Sequence, residues 1–427
     1  MTGNQNNAIV VSLNSDVSEI IELANSLDYN VVETFFQHLE KPDVKSYVGS
    51  GKVDEIKEFV KDAEKDIVLV IVDGELKPSQ WFTLEKKLNV EVYDRVRLIL
   101  AIFAERADRK EARLQVKLAQ LQYERPFVRE LIHRARSGEH PGLMAGGEYQ
   151  VDDYYEMIKK QVKKIKEELE GMRNSREIRR RHRHIGGFYL VSLAGYTNAG
   201  KSSLLNLLSD EKVKVEGKLF STLSTTTRRI KNKNIPVLIT DTVGFIKNLP
   251  ALIIDAFHST LEEIEVADVV LLIADVSEEK ELVANKLKTS LDELVEINVN
   301  SSIVVVLNKT DLISTDELFS RTEYLKNRGL LEDKEVVTIS SKNRENVNEL
   351  LSVIYKSLPQ LVSFKIKLPV NEDTQSFISW IYERAFVSDI FYDEFVTLSI
   401  ACNPKMHEKI VFKCKNLKGF VVDRLVF

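Results

Sequence analysis

Short apolar, β-branched runs alternate with amphipathic segments over residues 8–92. They follow one another as Ala8–Leu13, Ser15–Leu27, Asn30–Gln37, Lys52–Lys61, Ile67–Val72, Gln80–Lys87 and Val90–Val92. This alternation is typical of an α/β domain, in which amphipathic helices cover a sheet. We therefore predict an α/β multidomain protein that begins with an N-terminal α/β domain over residues 1–104.

Two long, densely charged stretches follow, between about Leu98 and Phe188. Apolar residues of the second recur at alternating spacings of four and three, the pattern of a coiled-coil seam. They are Val151, Tyr155, Ile158, Val162, Ile165, Leu169 and Met172, and the first stretch carries Leu114, Leu118 and Leu121 in the same rhythm. A glycine-rich segment, Ser137–Gln150, lies between them. We predict a long antiparallel helical hairpin over residues 105–184.

Near-continuous apolar runs recur after Gly186-Gly187, as strands buried on both faces require. The predicted strands are Phe188–Ala194, Pro236–Thr240, Val269–Ala274, Ile303–Leu307 and Val336–Ile339, and the predicted helices are Lys201–Leu208, Ile253–Ile264, Glu279–Val295, Asp316–Asn327 and Val347–Leu358. We expect a parallel-rich sheet with helices on both faces over residues 185–360. Residues 361–427 then read strand, helix, strand, helix, strand, which predicts a small C-terminal α+β domain.

Composition narrows the class of protein without identifying a partner. The chain has 427 residues, a net charge of −5 and 44% hydrophobic residues, which excludes a disordered or collagen-like protein. Its two cysteines, Cys402 and Cys414, argue against a disulfide scaffold. The apolar runs are far shorter than the ~20 residues that span a bilayer. We expect a cytoplasmic monomer without a membrane partner.

A sequence with the Walker A spacing follows the first strand of the third region and opens a helix. It reads Gly195-Tyr196-Thr197-Asn198-Ala199-Gly200-Lys201-Ser202 and continues with Ser203. In this setting backbone N–H groups wrap around a phosphate at the positive end of the helix. We expect Lys201 to bridge the β- and γ-phosphates and Ser202 to bind Mg²⁺. Gly49-Ser50-Gly51-Lys52 lacks this spacing and indicates a turn before a helix that opens at Val53.

The base preference depends on Asn308-Lys309-Thr310-Asp311, which ends a predicted buried strand. The Asp311 carboxylate can accept hydrogen bonds from N1–H and the 2-amino group of guanine, whereas adenine would leave it unpaired at a cost of several kcal/mol, on the order of 1–3 per lost bond. We expect Lys309 to lie along the base and Asn308 to brace the loop. Ser340-Ser341-Lys342 follows the next strand and offers backbone donors to the guanine O6. The pocket therefore favours GTP and GDP over ATP.

Two further segments have the character of nucleotide-sensing switches. Asp241-Thr242-Val243-Gly244 ends another predicted strand, so that its carboxylate can hold Mg²⁺ and the Gly244 N–H can contact the γ-phosphate. The first switch is expected within Ser221–Ile230, where Thr227, or else Thr226, completes the Mg²⁺ shell. The predicted metal ligands are Ser202, Thr227 and Asp241, and the residues predicted to act on the γ-phosphate are Lys201, Thr227 and Gly244.

These motifs resemble those of the TrmE–Era–Obg–HflX superfamily of translation GTPases, through Gly-x-x-Asn-x-Gly-Lys-Ser-Ser at 195–203 and Thr-Thr-Arg in the first switch. Val48–Ile56, Asp94-Arg95, Arg106-Ala107 and Leu114–Tyr123 resemble the N-terminal domain and helical linker of the HflX family. The resemblance covers residues ~45–350, and the C-terminal region resembles more loosely an extra domain of some members. It implies GTP hydrolysis, binding to the large ribosomal subunit and its rRNA, and the capacity to split ribosomes.

The sequence departs from the expected patterns at three places. HflX members commonly carry Gly-Leu-Arg-Gly-Pro-Gly-Glu between the helices, whereas residues 142–148 lack its arginine and proline. An Asp-Pro pair commonly precedes the switch threonines, and Ser224-Thr225 stands there. Phe245 replaces the glutamine with which Ras-type GTPases orient water, so we expect slow intrinsic hydrolysis. In related GTPases the asparagine matching Asn198 helps bind K⁺, which makes Asn198 a candidate ligand for that ion.

The charge is distributed unevenly along the chain. Residues 105–184 hold 20 Lys/Arg and 14 Asp/Glu, so the remainder is strongly acidic. An arginine cluster precedes the third region and consists of Arg173, Arg176, Arg179, Arg180, Arg181 and Arg183. Such a cluster favours contact with an RNA backbone, although a charged helix face is often only solvated.

The motifs predict a GTPase, and the resemblance implies a ribosome-associated factor that splits or rescues ribosomes. An Era- or TrmE-like GTPase of RNA assembly or tRNA modification is the first alternative. The second is a non-ribosomal switch whose helical hairpin recruits a protein.

Overall fold

The computed structural model describes residues 6–63, 66–136, 148–185, 188–209, 226–230, 236–242, 244–246, 250, 252–253, 261–359 and 361–425. The chain divides into two compact units, one formed mainly by residues 1–171 and the other mainly by residues 172–427. No helix in these described ranges is long and apolar enough to cross a membrane.

The N-terminal region is an α/β fold with a fully parallel four-stranded sheet, as its alternating pattern predicts. Its strands are β1 (Asn6–Ser12), β2 (Tyr29–Phe36), β3 (Ile67–Val72) and β4 (Glu91–Asp94), in the order β2-β1-β3-β4. Its helices are α1 (Ser18–Ser26), α2 (Ser50–Asp62), α3 (Pro78–Leu88) and α4 (Arg95–Arg106). Helix α2 begins three residues before the predicted Val53. Gly49 donates its N–H to the Gln37 side chain at 2.8 Å and caps this helix.

Two long helices follow, α5 (Lys110–Arg136) and α6 (Glu148–Ile185). Their shared core contains Leu121, Val128, Ile132, Ile158 and Ile165, with Tyr155, Val162 and Leu169 packed against it. The helices run antiparallel, because Lys110 pairs with Glu168 at 3.2 Å and Glu124 accepts from Tyr154 at 3.2 Å. Helix α6 begins at Glu148, within the glycine-rich segment Ser137–Gln150 that was expected to join the two helices. Residues 137–147 lie outside the described residues.

The third region contains a six-stranded sheet of β5 (Tyr189–Gly195), β6 (Thr226–Arg229), β7 (Val237–Asp241), β8 (Val269–Asp275), β9 (Ser302–Asn308) and β10 (Glu335–Thr338). The order is β10-β9-β8-β5-β7-β6, and only the β6–β7 pair is antiparallel among these strands. Described helices are α7 (Lys201–Leu208), α8 (Lys280–Glu296), α9 (Thr315–Asn327) and α10 (Val347–Ser357). Of the predicted helix Ile253–Ile264, residues 254–260 lie outside the described residues.

The C-terminal region is α+β, but the predicted count of three strands is wrong. It consists of β11 (Val362–Pro369), α11 (Glu372–Tyr382), β12 (Phe386–Tyr392), β13 (Phe395–Cys402), α12 (Pro404–Asn416) and β14 (Phe420–Leu425). The middle strand of the prediction is a hairpin that turns at Asp393-Glu394, where Asp393 N–H donates to the Phe395 carbonyl at 3.2 Å. The sheet is antiparallel in the order β12-β13-β11-β14, a ferredoxin-like arrangement.

Candidate functional site: a phosphate loop and a base-recognition loop

The phosphate loop lies between the end of β5 and the start of α7. Gly195 has φ 135° and Gly200 has φ 99°, backbone conformations that disfavour a side chain. A Cβ atom on Gly195 would overlap the Ile273 carbonyl oxygen, and one on Gly200 would overlap the Asn308 side-chain nitrogen. Both positions therefore require glycine for two reasons. The φ angle is positive, and neighbouring strands leave no room for a Cβ atom.

Lys201 is the buried cation of this loop. Its ammonium group donates to the carbonyls of Gly195 at 3.0 Å and Tyr196 at 2.8 Å. Burial lowers the pKa of Lys201 to about 8, and the nearby Asp241 carboxylate only partly offsets this. Two of the three ammonium donors thus hold the lysine against its own loop. A polyphosphate bound on the loop would place negative charge beside this buried cation and would stabilise its charged form.

A hydroxyl and a carboxylate meet where the sequence predicts a magnesium site. Ser202 Oγ donates to Asp241 Oδ2 at 2.8 Å, and Asp241 is fully buried at the end of β7. Both groups are oxygen ligands of the kind that Mg²⁺ prefers. No group of three or more His, Cys, Asp or Glu side chains in the described part of the chain could hold a metal. A metal at this pair would need further oxygen ligands beyond carboxylates.

The structure does not bring Thr227 to this pair. In the β6–β7 ladder Thr227 lies opposite Thr240 and Thr226 lies opposite Asp241, and the Thr227 and Thr240 hydroxyls are 3.0 Å apart. Because successive side chains of a strand point to opposite faces, Thr226 shares the face of Asp241 and Thr227 does not. Thr226, the second candidate of the sequence, is therefore the threonine that lies beside Asp241 in this ladder.

Replacing these two threonines separately tests their assignment. Thr226→Ala should lower the rate of GTP hydrolysis at saturating Mg²⁺ by about tenfold or more, because it removes an oxygen beside Asp241. Thr227→Ala should change the rate far less, and steady-state phosphate release measures both. A larger loss for Thr227→Ala than for Thr226→Ala would contradict the register argument.

The second switch contacts the phosphate loop through its backbone. Phe245 N–H donates to the Gly195 carbonyl at 3.0 Å, and Thr197 N–H donates to the Phe245 carbonyl at 2.9 Å. A Cβ atom on Gly244 would lie 2.8 Å from Thr197 Cγ2 and 2.9 Å from Lys201 Nζ. Thr242 is buried and bonds the Leu193 carbonyl at 2.6 Å, whereas Val243 lies outside the described residues. The Phe245 ring is buried. Because a phenyl ring has no hydrogen-bond donor or acceptor, this side chain cannot position water by hydrogen bonding.

Asn308 joins three loops at the carboxyl edge of the sheet. Its amide nitrogen donates to the Ala199 carbonyl at 2.9 Å, and its oxygen accepts from Ser341 N–H at 3.1 Å and from Ser341 Oγ at 2.9 Å. Asp311 Oδ1 accepts from Ser340 Oγ at 2.7 Å, which fixes the orientation of this partly buried carboxylate. Lys342 is exposed. The structure thus places both predicted base-recognition motifs beside the phosphate loop.

Sequence reasoning missed Asp275, which forms an ion pair with Lys309. Asp275 ends β8 and also accepts from Ser277 N–H at 3.0 Å. Its position at the carboxyl end of a buried parallel strand, next to the end of β9, is a signal that could have identified it. Lys309 itself has φ 68°, a backbone conformation that is uncommon for a residue with a side chain.

The last predicted residues are Asn198, the candidate K⁺ ligand, and the arginine cluster, the candidate RNA contact. Asn198 is exposed in the phosphate loop with φ 62°. Arg173 pairs with Glu262 at 2.8 Å, so part of its charge is already satisfied within the protein. The other five arginines lie on helix α6, but their side chains, at positions 176, 179, 180, 181 and 183, are outside the described residues.

The two glycine–lysine sequences make a matched pair for mutagenesis. Gly200→Ala should weaken nucleotide binding and lower the free energy of unfolding by about 1–3 kcal/mol, because it strains φ and displaces Asn308. Gly51→Ala, in helix α2 with open space around it, should be neutral or raise stability by about 0.5–1 kcal/mol. Thermal unfolding with and without GDP measures both effects. A nucleotide-binding defect in Gly51→Ala would contradict the assignment of the phosphate loop.

Together, the phosphate loop, the Ser202–Asp241 pair and the braced Asp311 define a P-loop protein with a guanine-nucleotide pocket. Three family profiles match the chain: "GTP-binding GTPase N-terminal" over residues 14–104, "GTP-binding GTPase Middle Region" over 106–183 and "50S ribosome-binding GTPase" over 190–309. The chain is 41% identical to GTPase HflX of Thermococcus kodakarensis over 383 residues, 88% of this chain and 86% of that protein. The chain belongs to the HflX family of GTPases.

Other relatives cover the chain to a similar extent. GTPase HflX of Methanocaldococcus jannaschii is 40% identical over 88% of this chain and 90% of its own length. A solved GTP-binding protein from Sulfolobus solfataricus, in complex with GDP, is 28% identical over 82% of this chain and 98% of that chain, with a TM-score of 0.45. The curated relatives establish that this protein is a GTPase and that its nucleotides are GTP and GDP.

Proposed function

We propose that this GTPase binds the large ribosomal subunit through rRNA, that its nucleotide state sets the affinity, and that it thereby splits or rescues ribosomes. The observation that carries the proposal is a basic helical hairpin that leads directly into the GTPase region. Residues 105–184 hold 20 Lys/Arg against 14 Asp/Glu in a chain whose net charge is −5. Helix α6 ends at Ile185, and β5 begins at Tyr189. The family description "50S ribosome-binding GTPase" supports the same partner.

The described part of α6 presents its cations to solvent. Lys160, Lys163, Lys164 and Lys166 are exposed, whereas the seam residues Ile158 and Ile165 are buried against α5. Exposed cations on a long helix can neutralise successive phosphates of RNA and release their counterions. The arginine cluster would extend this surface along the same helix, with Arg173 the weakest member because of its bond to Glu262.

Within the GTPase site we propose the following roles. Backbone N–H groups of residues 195–203 cradle the phosphates, Lys201 neutralises their charge, and Asp311, Lys309 and Asn308 select guanine. Ser202, Thr226 and Asp241 would hold Mg²⁺, which supplies charge neutralisation at the phosphate oxygens. Because Phe245 cannot orient water, hydrolysis would be accelerated by the bound partner or by K⁺ at Asn198.

Co-sedimentation with purified ribosomal subunits tests the proposed partner. We expect the protein to migrate with large subunits and not with small subunits. Binding to isolated RNA with no binding to mature subunits would favour an assembly or tRNA-modification GTPase instead. A salt-insensitive complex with a protein, in the absence of rRNA, would favour the non-ribosomal switch.

Neutralising Arg179, Arg180 and Arg181 together should weaken large-subunit binding and flatten its salt dependence. Each lost phosphate contact lowers the slope of log K against log salt by about 0.7–0.9, so the change should be about 2–3. Lys280, Lys288 and Lys326 are exposed on α8 and α9, and neutralising these three gives a control with the same charge change. Equal losses in both triple variants would indicate an effect of net charge alone and would count against the arginine surface.

A further inference from the structure

One face of the C-terminal sheet is open and carries exposed aromatic rings. Helices α11 and α12 cover the other face, where Phe377, Ile381, Met406 and Ile410 join the buried core with strand residues. Along β13 the buried residues alternate with half-exposed ones, so each strand contributes every second side chain to the open face. The residues of this face follow the last motif of the nucleotide site, Ser340-Ser341-Lys342, in the chain. None of them has a role in GTP binding or hydrolysis as described above.

Three phenylalanines lie on this open face. One row of directly paired residues crosses all four strands and reads Phe391, Thr397, Lys367 and Phe420. Phe395 pairs with Pro369 in the next row. Phe391 is 64% exposed, Phe420 49% and Phe395 38%. The rings of Phe395 and Phe420 meet edge to face across β11, with centroids 6.0 Å apart.

Polar and cationic side chains separate the Phe391 ring from the pair formed by Phe395 and Phe420. Lys365 and Lys367 lie on the central strand β11, and Thr397 and Ser399 lie beside them on β13. An interface with a protein usually has a contiguous apolar centre from which lysine is depleted. A ring pair and a single ring with Lys367 between them instead match a surface on which unpaired bases stack while cations contact the phosphates. Asp389, opposite Ser399 on the edge strand β12, and Asp423, opposite Lys365 on the edge strand β14, are acidic residues at the two borders of the surface.

We propose that this face, formed by Phe391, Phe395, Phe420, Lys365 and Lys367, binds single-stranded RNA by stacking two or three unpaired bases. Four-stranded sheets in which exposed aromatic residues stack bases are a general solution to recognition of single-stranded RNA, and the βαββαβ order seen here leaves one sheet face free for that purpose. The surface goes beyond the proposed function, because it adds a second RNA contact on a different domain from the helical hairpin.

Fluorescence anisotropy of the full-length protein with a labelled short oligouridine tests this proposal. Phe391→Leu and Phe420→Leu should each weaken binding by about tenfold, because leucine keeps the apolar surface but cannot stack. Phe391→Tyr should retain binding, because its ring still stacks. Phe412 is 66% exposed on the helical side of the same domain, so Phe412→Leu is the matched control and should bind as the unchanged protein does.

The measurement is repeated in the background in which Arg179, Arg180 and Arg181 are neutralised. The loss caused by Phe391→Leu should be the same in that background. The comparison therefore separates RNA binding at this surface from RNA binding at the helical hairpin. Asp389→Lys should tighten binding, because it replaces one of the two acidic residues at the borders of the surface by a cation. No binding of oligouridine by the unchanged protein would overturn the proposal. Equal binding by Phe391→Leu and Phe391→Tyr would also overturn it and would indicate an apolar docking surface for a protein.

Discussion

Replacing Asp311 with asparagine should convert the GTP-preferring pocket into one that prefers xanthosine nucleotide. The Asp311 carboxylate is oriented by the 2.7 Å bond from Ser340 Oγ and, as an acceptor, matches the N1–H and 2-amino donors of guanine. An asparagine amide presents a donor to one of these groups, whereas xanthine has a carbonyl oxygen where guanine has the amino group. The ratio of GDP affinity to XDP affinity should fall by about 100-fold or more. The reason is that each buried polar group left without a partner costs about 1–3 kcal/mol.

Competition of GDP, XDP and ADP against a fluorescent nucleotide measures this change. Asp316→Asn is the matched control, because Asp316 is exposed in the first turn of α9 and makes the same loss of charge close in sequence. The control should keep its preference for guanine. Retained guanine selectivity in Asp311→Asn would contradict the assigned base contact, even if the affinity for every nucleotide fell.

The second large effect is expected at Lys201. Lys201→Ala removes the buried ammonium group beneath the phosphate loop, and with it the charge that a bound polyphosphate would meet. GTP hydrolysis should fall by about 1,000-fold or below detection, because cations at the transferring phosphoryl group supply much of the stabilisation of the transition state. The free protein should remain folded, because burial of the Lys201 charge, which lowers its pKa, costs free energy that the alanine variant does not spend.

Thermal unfolding separates these two consequences. GDP should raise the Tm of the unchanged protein by mass action and should raise that of Lys201→Ala little or not at all. Lys288→Ala, an exposed change on α8, should behave as the unchanged protein does. Undiminished GTP turnover by Lys201→Ala would contradict the assignment of the phosphate loop.

Much of the fold could be predicted because its signals are local. Strands buried on both faces are continuous apolar runs, and so the predicted bounds of β5, β7, β8, β9 and β10 lie within one residue of those in the structure. The phosphate loop and Asn308–Asp311 are short motifs whose function depends on the strand before them. Family resemblance then identified the HflX group, which the curated relatives confirm.

The features that the sequence leaves open or misses are ones that only strand pairing decides. The choice between Thr226 and Thr227 depends on the register of β6 against β7, where a shift of one residue exchanges the two faces. The hairpin of β12 and β13 was predicted as one strand, because Asp393-Glu394 lacks the glycine or asparagine that marks most tight turns. The position of Asp275 at a strand end could mark it as a functional residue, but its pairing with Lys309 joins two neighbouring strands and depends on the sheet order.

The affinity for purified large ribosomal subunits in three nucleotide states tests the central claim most directly. The protein is titrated with subunits in a non-hydrolysable GTP analogue, in GDP and without nucleotide, at one fixed salt concentration. Switching requires the subunit to prefer one state, and a difference of about 1–3 kcal/mol, or roughly 5- to 150-fold in Kd, is typical of such coupling. We predict the tightest binding in the GTP analogue. Equal affinity in all three states would contradict the account.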